Sequence, residues 1–466
     1  MKKIIILFLV LLLMSTMVAC GNNVEVSDIS ADNQQSSETE SNKTVDNIED
    51  LDGKLGTFNK NATIEETVMV DEGGMKITAT GLNYDNYSVE LELTIENNTD
   101  KNLSFHSGSV GYSCNSINGY MISGGYLNCD VVAGKKANDS IKFNYDELML
   151  YGINEIADIE IGFSVSDDHY KNTYTGPRQV KTSAFDSHDY NINHYQKTIA
   201  SRMAMNTYQY DMKYFSQDTF YDNSGVKIVS SGVLVKEDGD SALLLELENT
   251  TNNIVYVSTS DIAFNGLMVY GSTWSSDAIN PGKRGIIDVD LSSVFDRDYW
   301  NVYGIDEIGS ISLALSQRDF EGTELAEKGF IKIAIPNAKG TYDLSGKEIY
   351  NSSGLRIMEK SILEDPSEFN SDVHVFLLAE NKSGKTLEIS DVYRSVSVNG
   401  FMTDYFWDDT KIRDGESAVL EIELRESSLA ENKINSVSDI KEVEARFEVQ
   451  EGDKSIDEVM MKLSFN

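Results

Sequence analysis

Apolar and polar residues alternate in three separate stretches of this chain, and that alternation predicts β-strands with one buried face. The apolar positions are Val89, Leu91, Leu93 and Ile95 in the first stretch, Leu243, Leu245 and Leu247 in the second, and Val373, Val375, Leu377 and Ala379 in the third. Each stretch ends in the same pair of residues: Glu96-Asn97, Glu248-Asn249 and Glu380-Asn381. A period of two excludes a helical solenoid and favours an all-β protein.

Each alternating strand lies within a longer repeat, and the repeats cover residues 74–165, 225–315 and 354–449. An Asn-Gly pair follows the Glu-Asn pair in every copy, at Asn118-Gly119, Asn265-Gly266 and Asn399-Gly400. Asn-Gly between extended runs predicts a tight hairpin, because a type I′ turn needs positive φ at two residues. A turn glycine and a closing strand complete each copy, with the glycines at Gly134, Gly282 and Gly415.

Many short strands separated by turns predict three tandem immunoglobulin-like antiparallel β-sandwich domains. We predict these domains at residues 54–183, 214–337 and 338–466, each with its own core. A short helical turn is expected before each closing strand, around Glu147–Tyr151, Val294–Tyr303 and Ser427–Asn432. Residues 184–213 are predicted to form a linker with one short helix near Gln196–Met205.

The N-terminus has the form of an export signal. Lys2 and Lys3 precede an apolar run that is short for a membrane span, so residues 1–19 are predicted to be a signal peptide. Cys20 stands at the small-residue cleavage point, which predicts a bacterial lipoprotein whose cysteine carries acyl chains such as palmitate and anchors it in membrane lipid. An ordinary cleaved signal or an uncleaved anchor is the alternative.

Residues 20–53 are acidic and rich in Ser, Asn and Gln, which predicts a disordered tether. The whole chain has a formal net charge of −37 at pH 7. Such a charge argues against nucleic-acid binding, since that needs clustered Lys and Arg. The negative charge is typical of an exported protein whose surface stays soluble through repulsion. A surface that binds cations or a basic partner is the alternative.

Two further cysteines, Cys114 and Cys129, flank the first Asn-Gly turn. Export permits a disulfide between them, and two free thiols are the alternative. The other repeats have no cysteine at these places, so the fold does not require the bridge.

The sequence contains no nucleophile elbow, phosphate-binding loop, dinucleotide fingerprint or EF-hand loop, so no catalytic residue, metal site or cofactor is predicted. His188 and His194 lie in the linker at a spacing that suits neither a helix face nor a strand face, so we expect solvated loop histidines, with weak metal binding as the alternative. Acidic side chains cluster at Asp288, Asp290, Asp296 and Asp298 and at Asp408-Asp409, where calcium binding is an alternative to chance.

Aromatic residues follow the Asn-Gly turn in each copy and are candidates for a ligand platform. They are Tyr120 and Tyr126, Trp274, and Tyr405 and Trp407. The alternative is that one face of each hairpin packs on the core, as neighbouring residues of a strand point to opposite faces.

The lipid site, the acidic tether and the Glu-Asn, Asn-Gly and Gly-Lys landmarks resemble those of Gram-positive bacterial lipoproteins with repeated immunoglobulin-like domains of unknown function. The third copy departs from that pattern at Gly415-Glu416, where the others have Gly134-Lys135 and Gly282-Lys283. Met17 replaces the usual leucine before the cysteine. The resemblance implies a location on the outer face of the cell membrane and no catalytic residues.

The sequence therefore predicts a lipid-anchored extracellular protein that binds a cell-wall glycan or a protein without catalysing a reaction. A structural envelope spacer is the second hypothesis, and a hydrolase of envelope polymers is the third. Exposed, aligned aromatic hairpins would favour binding, and buried rings would favour the spacer.

Overall fold

The computed structural model describes residues 53–108, 115–169, 171–237, 239–269, 275–291, 299–364 and 372–465. The predicted signal peptide, Cys20 and the tether up to residue 52 lie outside these residues. Cys114, Trp274, Asp296 and Asp298 lie outside them as well.

Strands form most of the described chain, and each repeat contributes a similar series. The first repeat has β1 Thr67–Glu72, β2 Met75–Tyr84, β3 Ser88–Asn97, β4 Leu103–Ser107, β5 Asn115–Ile117, β6 Tyr120–Ile122, β7 Leu127–Val131, β8 Lys135–Asn144, β9 Asp158–Asp167 and β10 Asn172–Lys181. The second has β11 Tyr210–Ser216, β12 Tyr221–Asn223, β13 Val226–Lys236, β14 Ser241–Asn249, β15 Val255–Phe264, β16 Leu267–Met268, β17 Ser276–Ile279, β18 Arg284–Asp290, β19 Ser310–Arg318 and β20 Gly329–Ala334. The third has β21 Lys347–Ser352, β22 Leu355–Glu364, β23 Val373–Asn381, β24 Leu387–Asp391, β25 Ser397–Val398, β26 Phe401–Met402, β27 Tyr405–Trp407, β28 Thr410–Ile412, β29 Ser417–Leu424, β30 Glu442–Glu451 and β31 Lys454–Ser464.

The helices among the described residues are short. They are α1 Tyr145–Leu150, α2 His194–Ile199, α3 Arg202–Tyr208, α4 Tyr299–Val302 and α5 Glu426–Glu431. Three of them, α1, α4 and α5, lie at the predicted turns before the closing strands. The part of the chain that the structure describes has no helix with the length and apolar character needed to cross a membrane.

The linker differs from its prediction, because it holds two α-helices and a 3-10 helix at Phe185–Ser187 instead of one helix. The break falls at Ser201, whose side-chain oxygen accepts a hydrogen bond from the Ala204 amide at 3.2 Å and caps α3. The helix ends at Gln209 in the left-handed conformation, and β11 begins inside the predicted linker.

The strands assemble into sheets that continue from one repeat into the next. Sheet I has the order β1-β2-β3-β8 and belongs to the first repeat alone. Sheet II joins β11, β13, β14 and β18 of the second repeat to β6, β5, β9, β4 and β7 of the first. Sheet III joins β20, β19, β15 and β16 of the second repeat to β29, β23, β22 and β21 of the third, with β17 paired to β15 and β27 to β29. Sheet IV has the order β26-β25-β30-β24-β28, with β31 paired to β30.

Nearly all neighbouring strands are antiparallel, which confirms the predicted fold class. Among the described strands, the two parallel pairs are β6 with β18 and β16 with β29, and each pair joins different repeats. Residues of two sheets meet in one core, as Ile77 and Leu91 of sheet I share a cluster with Phe105 and Ile161 of sheet II. This layering is that of a β-sandwich.

Buried apolar side chains form three clusters, one centred on each repeat. The clusters cross the repeat limits, which differs from the expectation that every repeat keeps a separate core. Met121 of the first repeat belongs to the second cluster, and Met268 of the second belongs to the third. All described residues belong to one compact unit that spans residues 50–466. The domain limits given above therefore stay predictions.

The asparagine of each Glu-Asn pair is a fully buried hydrogen-bonding centre. The Asn381 amide group donates to the carbonyl oxygens of Lys385 at 2.7 Å and Ile412 at 2.8 Å. Its carbonyl oxygen accepts from the Ser383 amide at 3.0 Å and the Ser383 hydroxyl at 2.7 Å. Asn97 and Asn249 make the corresponding four bonds in their own repeats. This shared network explains why the residue recurs.

The asparagine of each Asn-Gly pair has two functions. Its φ is positive in all three copies, as the predicted type I′ turn requires: 50° at Asn118, 57° at Asn265 and 51° at Asn399. Its side chain also ties the turn to the loop before the closing strand. The Asn118 amide group donates to the Glu155 carbonyl at 2.8 Å, and its oxygen accepts from the Ala157 amide at 2.7 Å.

Candidate functional site

The hairpins at the first two Asn-Gly turns each meet the next repeat through the strand that follows its turn glycine. At the first junction, between β6 and β18, the Arg284 amide donates to the Gly119 carbonyl at 2.9 Å. At the second junction, between β16 and β29, the Ser417 amide donates to the Gly266 carbonyl at 3.1 Å. The two junctions therefore use the same backbone contact at equivalent positions.

A buried methionine side chain lies at each of these two junctions. Met121 and Met268 are the third residues after their asparagines, and both are only 5% exposed. Each side chain lies in the apolar cluster of the following repeat. The Asn280 amide also donates to the Met121 sulfur at 3.4 Å. The pattern Asn-Gly-x-Met was visible in all three copies, yet spacing alone did not show that the methionine enters a neighbouring core.

The third hairpin, residues 397–402, has the same sequence pattern but a different environment. Phe401 is 54% exposed and Met402 is 61% exposed. Their strand, β26, pairs with β25 and is the last strand on its side of sheet IV among the described residues. Two large apolar side chains are thus presented to solvent at the place where the other repeats bury them.

A shallow depression lies beside the third hairpin. Its lining includes Asn399, Phe401, Asn432, Lys441 and Glu442. The first and second repeats carry later chain segments over the corresponding turns. The Tyr190 hydroxyl donates to Asp158 at 2.7 Å in the first, and the Asn265 amide group donates to the Thr341 carbonyl at 3.4 Å in the second.

Charged side chains border the third hairpin on the strand that pairs with β25. Glu442 and Glu444 share one lysine, since Lys462 Nζ lies 2.7 Å from the first carboxylate and 2.9 Å from the second. The hydrogen bonds that Lys462 donates to these two carboxylates raise its pKa. The border of the third hairpin therefore carries charges of both signs, since Lys441 also lines the depression, and this border suits a polar partner.

The aromatic candidates that the structure describes do not form one exposed platform. Tyr120 is buried at the first junction, where its ring packs with those of Tyr151 and Tyr195. Tyr405 and Trp407 pack partly buried against the third cluster, and Trp407 stacks on Phe447. Of the described candidates only Tyr126 is largely exposed. The alternative that one face of the hairpin packs on the core holds for Tyr120, Tyr405 and Trp407.

Of the three cysteines, the structure describes only Cys129. Cys129 has a free, buried thiol in β7, and burial raises its pKa to about 11. Cys114 lies outside the described residues, so the disulfide between them stays a prediction. Lipidation of Cys20 also stays a prediction.

No chemistry-bearing cluster emerges in the part of the chain that the structure describes. Within it, no group of three or more His, Cys, Asp or Glu side chains has an arrangement that would hold a metal ion. The rings of His188 and His194 stack at 5.1 Å, although their spacing gave no reason to expect contact. Burial and the neighbouring His194 lower the pKa of His188.

Asp277 of β17 is a partly buried carboxylate near the first junction. Desolvation raises its pKa from 3.8 to about 7, and the charge of Asp288 adds to the rise. The folded state therefore holds a proton that the unfolded chain releases near pH 4, so this group's contribution to stability is full below pH 4 and is lost as pH rises through 7.

We expect Asp277→Asn to unfold at higher denaturant than the wild type at pH 8 and to show a flatter decline of stability between pH 4 and pH 8. Urea unfolding of both proteins across this range measures the difference. Asp211→Asn, at an exposed carboxylate, is the control and should follow the wild-type curve. Parallel curves for Asp277→Asn and the wild type would contradict the assigned pKa.

The fold and the third hairpin define a protein of repeated β-sandwiches with an exposed apolar sheet edge. No family model matches the chain, and no curated protein matches it either. A protein of unknown function from Porphyromonas gingivalis W83 is 10% identical, with a TM-score of 0.14, over 49% of this chain and 92% of that one. A structure concerned with host cell surface retention of a 1.5-MDa bacterial ice-binding adhesin is 11% identical, with a TM-score of 0.15, over 80% of this chain and 90% of that one. The exo-chitosanase CsxA of Amycolatopsis orientalis is 6% identical, with a TM-score of 0.16, over 86% of this chain and 78% of that one. Likenesses at these TM-scores support no functional conclusion.

Proposed function

We propose that this is a lipid-anchored protein of the outer face of the cell membrane that binds a partner without catalysing a reaction. The third hairpin is its binding surface. The observation that carries the proposal is the exposure of Phe401 and Met402, at positions where the other repeats bury their side chains against a neighbouring sheet. The N-terminal signal and Cys20 support the anchor and the location.

The chemistry of the third hairpin favours a protein partner that offers a sheet edge. Short strands such as β26 pair through backbone hydrogen bonds, and the apolar side chains add affinity where they find a pocket. At both junctions within the chain, the equivalent hairpin strand pairs with a strand of another repeat. A cell-wall glycan stays the second ligand class, because Phe401 and the polar depression beside it suit a sugar ring.

The spacer hypothesis is supported by a different observation. Tyr120 is buried and Tyr405 and Trp407 pack against the core, so the aligned aromatic surfaces expected of a carbohydrate binder are not present among the described candidates. A spacer needs only the repeated sandwiches and the anchor. The two hypotheses therefore differ in whether the third hairpin has a saturable partner.

The test measures binding of residues 50–466 to isolated cell walls, to purified wall glycans and to surface proteins extracted from those walls, with and without calcium. We expect saturable binding by the wild type and at least about a tenfold loss for Met402→Glu. Met460→Glu is the matched control, because Met460 is similarly exposed at 57% on β31. Absence of saturable binding, or equal loss in both variants, would favour the spacer. Fatty-acid labelling of cells that express the full chain, lost in Cys20→Ser, tests the anchor.

A further inference from the structure

The two junctions within the chain share a design of three parts. A hairpin edge pairs with the strand after the turn glycine, a methionine enters the next apolar cluster, and polar groups close the border. At the first junction the border is an ion pair, with Lys283 Nζ 3.2 Å from Glu160. At the second the border is polar, as the Arg413 guanidinium donates to the Ser312 hydroxyl at 3.1 Å.

Both halves of a further junction occur on this chain without a partner strand among the described residues. The hairpin half is β26 in the third repeat, the last strand on its side of sheet IV. The strand half is β8 in the first repeat, which is the last strand on its side of sheet I. β8 follows the turn glycine Gly134 just as β18 and β29 follow theirs.

The strand half matches its equivalents position by position. Lys136 takes the place of Arg284 and Ser417. The backbone amides of those two residues donate to the hairpin glycines at the junctions within the chain. Val132 takes the place of Asn280, which touches Met121, and is 55% exposed. A solvent-exposed valine therefore stands where an incoming methionine makes contact at the first junction.

The charges at the border are complementary as well. Lys135 takes the place of Lys283, and Glu444 takes the place of Glu160. Pairing of the two halves would bring Lys135 to Glu444 and repeat the ion pair of the first junction. Lys462 binds both Glu442 and Glu444, so it can stay paired with Glu442 while Glu444 binds Lys135. Adjacent lysines on an exposed edge are unusual in a chain of net charge −37, which adds to the match.

We propose that two copies of this chain associate head to tail, with β26 of one copy pairing alongside β8 of another. The proposal rests on the proposed function and names the partner of the same hairpin. The Lys136 amide donates to the Gly400 carbonyl, Met402 packs on Val132, and Lys135 binds Glu444. Because the two surfaces differ, the contact is heterologous and produces open chains or rings of copies along the membrane.

The contact is smaller than the junctions within the chain. The outer face of sheet III carries Phe376, Leu378 and Val419, all buried against the second repeat. The equivalent positions of sheet I are Glu92, Thr94 and Asn138, which are polar and cannot bury favourably. Only the strand edge and the methionine contact remain, so we expect weak association with a Kd of roughly 10 µM to 1 mM.

A charge swap tests the proposal at the two charged positions of the contact. Lys135 is exposed, and Glu444 is partly buried and also pairs with Lys462. Lys135→Glu alone and Glu444→Lys alone each place like charges at the contact and should weaken self-association of residues 50–466 about threefold to tenfold in sedimentation equilibrium. In an equal mixture of the two variants, each contact between unlike variants has opposite charges, so association should recover toward the wild-type value. Failure of the mixture to recover would overturn the proposal.

A cysteine pair tests the register directly. Phe401→Cys and Lys136→Cys, made in separate chains, should form a disulfide-linked dimer when mixed, since Tyr120 pairs with Arg284 at the first junction. Phe401→Cys mixed with Lys142→Cys, farther along β8, should not. A monomeric wild type up to about 1 mM would overturn self-association. If Met402→Glu still loses binding to cell walls in that case, the proposed function stands without the self-association.

Discussion

Replacing Arg284 by methionine is expected to lower the free energy of unfolding by about 3 to 5 kcal/mol. The reason is Glu246, which is fully buried at the first junction. The Arg284 guanidinium donates to its carboxylate at 3.1 Å, and Ser230 and Gln196 donate at 2.7 and 2.6 Å. Removal of the cation leaves a buried negative charge with only neutral donors, which costs much more than the loss of an exposed ion pair.

Urea unfolding followed by hydrogen exchange of β13, β14 and β18 measures this effect where it arises. Arg178→Met is the matched control, because Arg178 and Glu72 form an ion pair at 3.0 Å with side chains that are 40% and 50% exposed. The control should change stability by less than about 1 kcal/mol. The double variant Arg284→Met with Glu246→Leu should recover most of the loss, since it removes the buried charge as well. A single variant no worse than the control would refute the assigned cause.

Replacing Asn381 by alanine should destabilise the third repeat by about 3 kcal/mol. The substitution removes four hydrogen bonds and leaves the carbonyls of Lys385 and Ile412 without the donor they have at 2.7 and 2.8 Å. The side chain is fully buried, so water cannot take its place without opening the loop. Loss of this centre also frees the turn that Ser383 closes.

Denaturant unfolding with hydrogen exchange of β23 and β29 checks the expected loss. Asn351→Ala in β21 is the control in the same repeat, since Asn351 is exposed and makes one side-chain bond to Glu348 at 3.3 Å. Asn97→Ala and Asn249→Ala should repeat the large effect in their own repeats. Equal stability of Asn381→Ala and Asn351→Ala would show that the network contributes little.

Much of the local structure could be predicted from the sequence. The alternation at Leu91 and Leu93 correctly marked a strand with one buried face, and the Asn-Gly pairs correctly marked turns with positive φ. The short helices before the closing strands were also expected. These features depend on residues close together in the chain, so a single sequence is sufficient to predict them.

The candidate site was predicted poorly, because its character depends on contacts between repeats. Tyr120 was a platform candidate and is buried, since the second repeat covers its strand. Met402 was not a candidate and is exposed. Alternation shows which side chains share a face, but it does not show which strand lies across the edge of a sheet.

The sequence by itself therefore determined the strands, the turns and the recurring asparagine centres, because backbone conformation and side-chain periodicity act over short distances. Only the tertiary structure decided that sheets run on from one repeat to the next and that one hairpin remains uncovered. The same Asn-Gly-x-Met pattern buries Met121 and Met268 but exposes Met402. Burial is a property of the surface that a side chain meets, and that surface belongs to residues far away in the chain.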